Sequence, residues 1–191
     1  PLNGKEISDK LNRMPVGGKL LIPAGTLNHE TVLLIEKTKD NRAVISHYNT
    51  GQGAKESTRM GFSSDRIHAC VSYGPKDFSS PEFKDTMTTV LSISKTNGSI
   101  SLVNDHLSKF SQATLGRETN QQLAGTCSFS VLLEISKDIL GDDDYKKFYT
   151  DLVRQIHDDF KEVTEALKTP ISEEQKQFKD VCNMLLERCS P

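Results

Sequence analysis

Long apolar runs are missing from this chain: no stretch approaches the roughly 20 apolar residues that a membrane-crossing helix needs. A basic excess is missing too. Lys and Arg number 24 against 26 Asp and Glu, the net charge is −2, and the cations are scattered, which argues against a nucleic-acid partner. Cysteine is scarce, at Cys70, Cys127, Cys182 and Cys189. No two have C-x-x-C spacing, no neighbouring His completes a zinc pattern, and the spacings do not suit a disulfide framework. A reduced, cytoplasmic protein without metal or cofactor is therefore expected. The start, Pro1 to Ile7, has no signal-peptide pattern and no initiator Met, as expected of a cut from a longer chain. Repeats and low-complexity tracts are lacking as well.

What is present is enough for one sizeable domain with a helical appendage, at 191 residues. Ile7, Leu11 and Met14 fall at helical spacing over residues 5–14, and Pro15 with Gly17 and Gly18 ends that helix. Residues 19–22 read as a short strand. Residues 31–36 and 43–48 are β-branched, apolar runs around an Asp40-Asn41 turn, which predicts an antiparallel hairpin covered on both faces. A strand is expected over 66–73. Ser80 as N-cap and Pro81 as first helical residue open a helix carrying Phe83, Met87, Val90 and Leu91. A short helix follows near 100–110, and 111–126 reads as polar loop. Residues 127–139 are apolar almost all round, predicting a central helix. A long amphipathic helix is expected from 142 to 168, then a last helix opened by Ser172 and Gln175 as a capping box.

The chemistry-bearing stretch is Gln121-Gln122-Leu123-Ala124-Gly125-Thr126-Cys127. A thiol at the first turn of a helix has its pKa lowered by the free N–H groups there. A Gln amide five or six residues upstream can donate to the oxyanion of a tetrahedral intermediate, beside the backbone N–H of Cys127. The base must come from elsewhere. With the hairpin turn centred between Lys39 and Asp40, His29 faces Thr50, next to Asn49, and His47 shares the parity of Asn49. His29 is then the candidate base, with Asn49 or His47 orienting it. His68, His106 and His157 are rival bases. Taken singly, each residue has a plainer reading: Cys127 as a small buried hydrophobe, His29 as a satisfied histidine, Asn49-Thr50-Gly51 as a turn.

Gln-x-x-x-x-Cys at a helix start, with His and Asn on adjacent strands, resembles the papain-like cysteine peptidases in circularly permuted order, His before Cys. The match rests on Gln122 (or Gln121), Cys127, His29 and Asn49, and no Trp follows the Cys or the Asn. That superfamily includes deubiquitinases and bacterial effector proteases. The resemblance implies a cysteine peptidase or isopeptidase with a protein substrate, including ubiquitin-like ones, in the cytoplasm or, for a secreted effector, the host cytosol. A second resemblance is to permuted NlpC-type peptidases, including lecithin-retinol-acyltransferase-like enzymes, in which His47 serves as the second polar residue. The same dyad would equally suit a thiol acyltransferase or a glutamine deamidase. A non-catalytic helical interaction module is the reading from another class.

The expected fold class is α+β: a small antiparallel sheet packed on a central helix that begins at Cys127. Residues 1–141 are expected to form the catalytic domain, and 142–191 a helical pair packed on or projecting from it.

Overall fold

The computed structural model describes residues 2–26, 29–51, 66–93, 100–111, 113–120 and 127–166, with the single positions 172 and 176; the side chains of Arg66, Asn120, Cys127, Ser128, Phe129 and Phe160 are outside this description. The protein is mixed α+β. Its described elements are α1 (Gly4–Arg13), β1 (Lys19–Pro23), β2 (Val32–Lys37), β3 (Arg42–Tyr48), β4 (Arg66–His68), β5 (Cys70–Asp77), α2 (Pro81–Ile93), α3 (Ser101–Leu107), β6 (Thr114–Leu115), β7 (Glu118–Asn120), α4 (Cys127–Leu140) and α5 (Asp142–Ala166). The expected last helix, with its Ser172–Gln175 capping box, falls largely outside the described residues. The chain divides into two compact units, Pro1–Ile135 and Ser136–Pro191.

The first unit is built on a five-stranded antiparallel sheet in the order β1-β2-β3-β5-β6, beside a two-stranded ribbon of β4 and β7. The predicted hairpin is β2–β3, turned through Asp40 and Asn41, both with left-handed backbones (φ 58° and 55°). Asp and Asn tolerate that region better than most side chains, which is why this pair makes the turn. The register differs from the expected one by a residue: Val32 faces Tyr48, Leu33 faces His47 and Lys37 faces Ala43. Arg42 accepts from the N–H of Thr38 and donates to the carbonyl of Lys39, so the turn is centred on Asp40. A one-residue change moves every side chain of one strand to the other face. Continued past the strand ends, the observed register puts Gly51, not Thr50, across from His29.

Period-two alternation loads both sheet faces, as the unbroken apolar runs predict. Leu33, Ile35, Ala43, Ile45, Val71 and Tyr73 point to a core completed by Ile7 and Leu11 of α1, Phe83, Met87 and Val90 of α2, and Val103 and Leu107 of α3. Helix α1 starts with a capping box: the Asn3 side chain accepts from the Glu6 N–H, and the Glu6 carboxylate accepts from the Asn3 N–H. Helix α2 starts as expected, with the Ser80 hydroxyl accepting from the Phe83 N–H. The opposite face presents Val32, Leu34, Tyr48 and Cys70 to Val131 and Ile135 of α4. Helix α4 is therefore not buried all round. Val131 and Ile135 are sealed, whereas Leu132 is 49% exposed, and the larger core belongs to α1, α2 and α3 on the other side.

Two further expectations change. The strand expected over 66–73 is two strands in different sheets, because Ala69 between them gives its N–H to Arg117 while its carbonyl accepts from Asn49. The segment expected as polar loop over 111–126 contains β6 and β7.

In the second unit, α5 is a single 25-residue helix with Asp142, Asp143 and Asp144 in its first turn, where carboxylates complement the free N–H groups. Tyr145 stacks on Tyr149 one turn along. Among the described residues, no helix is long and apolar enough to cross a membrane.

Candidate active site

His29 and Asn49 lie on separate segments, one entering β2 and one leaving β3, and the hairpin brings them together. His29 Nε2 stands 2.7 Å from Asn49 Oδ1, and both side chains are buried. The Gly51 N–H donates to the same Oδ1 at 3.0 Å. An atom that receives a backbone N–H must be the amide oxygen, so the orientation of the Asn49 carboxamide is determined. That oxygen only accepts, so His29 Nε2 carries the hydrogen and Nδ1 carries the lone pair. Among the described residues Nδ1 has no hydrogen-bond partner. Gly51 also supplies the floor: a Cβ there would sit 2.6 Å from His29 Cε1. On the main chain, His29 and Thr26 exchange both N–H···O bonds, at 2.7 and 3.2 Å, which sets the entry to β2.

His47 has a different environment. Its Nδ1–H donates to Asn104 Oδ1 (2.8 Å), which also accepts from the Tyr73 hydroxyl (3.1 Å), and its Nε2 accepts from the Thr31 hydroxyl (3.0 Å). It is 1% exposed, and burial lowers its pKa to about 4 despite the Asn104 bond, with the nearby His29 pushing the same way. Burial also raises the Tyr73 phenol to about 12, with Asp105 adding to the rise, so the phenol stays a donor. His47 is thus a neutral imidazole with both nitrogens engaged, and it is Asn49 that bonds His29.

Cys127 is the first residue of α4. The same helix is moored farther along by Arg117, which pairs with the Glu134 carboxylate and donates to the Glu134 carbonyl at 2.9 Å. The Thr119 hydroxyl donates to the other carboxylate oxygen at 3.1 Å. Tyr48, the last residue of β3, packs against α4, and the next residue, Asn49, holds His29. The Cys127 side chain, Gln121 and Gln122 lie outside the described residues.

The rival imidazoles are otherwise engaged. The Nδ1–H of His68 donates to the Gly116 carbonyl at 2.7 Å. His106 Nδ1 is 3.2 Å from Lys109 Nζ, on the surface. His157 Nδ1 lies 3.4 Å from its neighbour Asp158 on α5. No group of three or more His, Cys, Asp or Glu residues suited to a metal ion occurs among the described residues.

Sequence reasoning missed three contributors. Gly51 reads as a turn glycine, and its contact with the imidazole depends on the final register. Thr31 reads as the first residue of an apolar run. Asn104 lies on a helix 57 positions from His47 and offers no local signal. Comparison of the chain with protein-family models and with curated proteins finds no match.

Proposed function

We propose that this protein is a thiol hydrolase of the cysteine-peptidase type, with Cys127 as nucleophile, His29 as base and Asn49 as its orienting partner. The observation that carries the reading is the 2.7 Å bond from His29 to an Asn49 carboxamide whose orientation is fixed by a second donor. Orienting a base through one ring nitrogen leaves the other aimed and basic, which is what a Cys–His pair requires. The start of a 14-residue helix at Cys127 supplies the second element, an environment that favours a thiolate.

In this mechanism the Cys127 thiol gives its proton to Nδ1 of His29. The thiolate sulfur then bonds to the substrate carbonyl carbon, and the carbonyl π pair moves to oxygen. Gln122, or Gln121, and the Cys127 N–H receive that charge. Collapse breaks the C–N bond, and the imidazolium proton leaves with the amine. Water, deprotonated at Nδ1, resolves the thioester to an acid and restores the thiol. The substrate class follows the family resemblance: a peptide or isopeptide bond in a protein, ubiquitin-like proteins included.

The test is the pH dependence of iodoacetamide alkylation at Cys127. The wild-type thiolate is expected to form well below the ordinary thiol value of about 8.5, and to return toward it in His29→Ala. Loss of the base is expected to lower hydrolysis by about 10²–10⁴-fold. Alkylation of Cys127 no faster than Cys189 at pH 6 would end the proposal. A ubiquitin C-terminal electrophile tests the substrate: if it leaves Cys127 untouched while iodoacetamide reacts, the hydrolase stands and the ubiquitin reading falls.

A further inference from the structure

The two chain segments that carry the base and its partner are joined twice by side chains. The first rung is His29 to Asn49; the second, two residues inward on each segment, is Thr31 to His47. His47 lies within the β2–β3 register, and Thr31, His29 and Asn49 lie just beyond the paired residues. The inner rung is anchored in depth, since His47 also donates to Asn104 on α3, whose oxygen takes the Tyr73 hydroxyl from β5. Thr31 is fully buried, and its carbonyl accepts from the Ala24 N–H, which closes the loop bearing His29. The outer rung is held differently: Asn49 Oδ1 also accepts from the Gly51 N–H, the Asn49 N–H donates to the Ala69 carbonyl, and His29 exchanges main-chain bonds with Thr26.

We infer that Thr31 and His47 are positioning residues for His29, the inner rung holding the base-bearing segment in register with the segment that bears Asn49. A buried hydroxyl placed against a buried imidazole is costly when either is lost, because the survivor is left unpaired. The hydrogen bond is directional, so it adds to the β2–β3 backbone ladder a distance-sensitive tie at the end that bears His29 and Asn49. This inference deepens the thiol-hydrolase reading and rests on it for its catalytic consequence, though not for its structural one.

The experiment follows the ring ¹⁵N resonances of His29 and the alkylation rate of Cys127 in Thr31→Val and Thr31→Ser, using the full chain. Wild type is expected to show a single Nε2–H tautomer at His29. Thr31→Val, which keeps the volume and removes the hydroxyl, is expected to give a tautomer mixture and at least tenfold slower alkylation. Thr31→Ser restores the hydroxyl and is expected to fall within twofold of wild type. If Thr31→Val does not fold, the double variant Thr31→Val/His47→Leu removes both partners and leaves neither unpaired; the same changes at His29 are expected there. Coincident His29 resonances in wild type and in the folded variant would overturn the inference, as would Thr31→Ser behaving like Thr31→Val. A variant that shifts His29 while wild-type Cys127 is no more reactive than Cys189 upholds the rung and removes the hydrolase reading.

Discussion

Gly51 has no room for a methyl group. A Cβ at that position would stand 2.6 Å from His29 Cε1 and 3.4 Å from both ring nitrogens, so Gly51→Ala must push the imidazole away or shift the backbone that donates to Asn49. Overpacking of this kind costs about 1–3 kcal/mol, and the cost is expected to appear as a lower urea midpoint with an altered His29 tautomer. Asn49→Leu acts on the same pair from the other side: it leaves the Gly51 N–H and His29 Nε2 without their shared acceptor, at about 1–3 kcal/mol. Chemical denaturation checks both, and wild-type stability in either variant would mean that the pair is not held as described. The His29–Asn49 pairing was partly legible at this scale, because residue types, chain order and the hairpin restrict which polar groups can meet. The expected register was wrong by one residue, and the Asp40-Asn41 turn is the reason: its two left-handed residues can be counted from either side in sequence, and only the backbone decides. Asn104 and Tyr73 were illegible because they approach His47 from a separate helix and strand, and sequence spacing carries no record of that approach.

Helix α4 separates buried from exposed apolar residues more sharply than its composition suggests. Ile135 is 2% exposed and Leu132 is 49% exposed, though both lie in one apolar run. Ile135→Ala is expected to destabilise by about 2–5 kcal/mol, and Leu132→Ala by less than about 1 kcal/mol; equal losses on thermal or urea unfolding would contradict the assigned face. Elements with a long period were readable: α1 and α4 start and stop, and α2 and α5 start, close to where caps, Pro and Gly place them. The short ones were not. Strand β6 spans two residues and β7 three, too few for alternation to register. They exist because β5 and β4 offer them hydrogen-bonding edges, a tertiary cause. Ala69 divides 66–73 for the same reason.

At the scale of the whole molecule, His47 links folding to pH. Its folded pKa of about 4 lies below the ordinary 6.5 because burial disfavours the charged imidazole. As pH falls through 6.5 the unfolded chain takes up a proton that the folded one refuses, so stability declines from there and the loss is complete near pH 4. At about 1.4 kcal/mol per pH unit the loss is roughly 3 kcal/mol. Thr31→Val/His47→Leu is expected to flatten the urea midpoint between those pH values relative to wild type. An unchanged difference between the two proteins across that window would show that His47 titrates normally when folded. The α+β class was foreseeable from strand-like runs followed by helical periods, whereas the division of labour between the sheet faces required the register.

That register gives the hairpin loop authority over residues it never approaches. Pairing in an antiparallel ribbon is counted outward from its bend, so a single insertion or deletion among residues 38–42 would carry the segment leaving β3 around to the wrong side. Tyr48 would then leave its place against helix α4 and Asn49 would lose its bond to His29, so both contacts would fail together. The bend tolerates substitutions that keep its two left-handed residues, but its length is bound to the integrity of a histidine eleven positions before its centre.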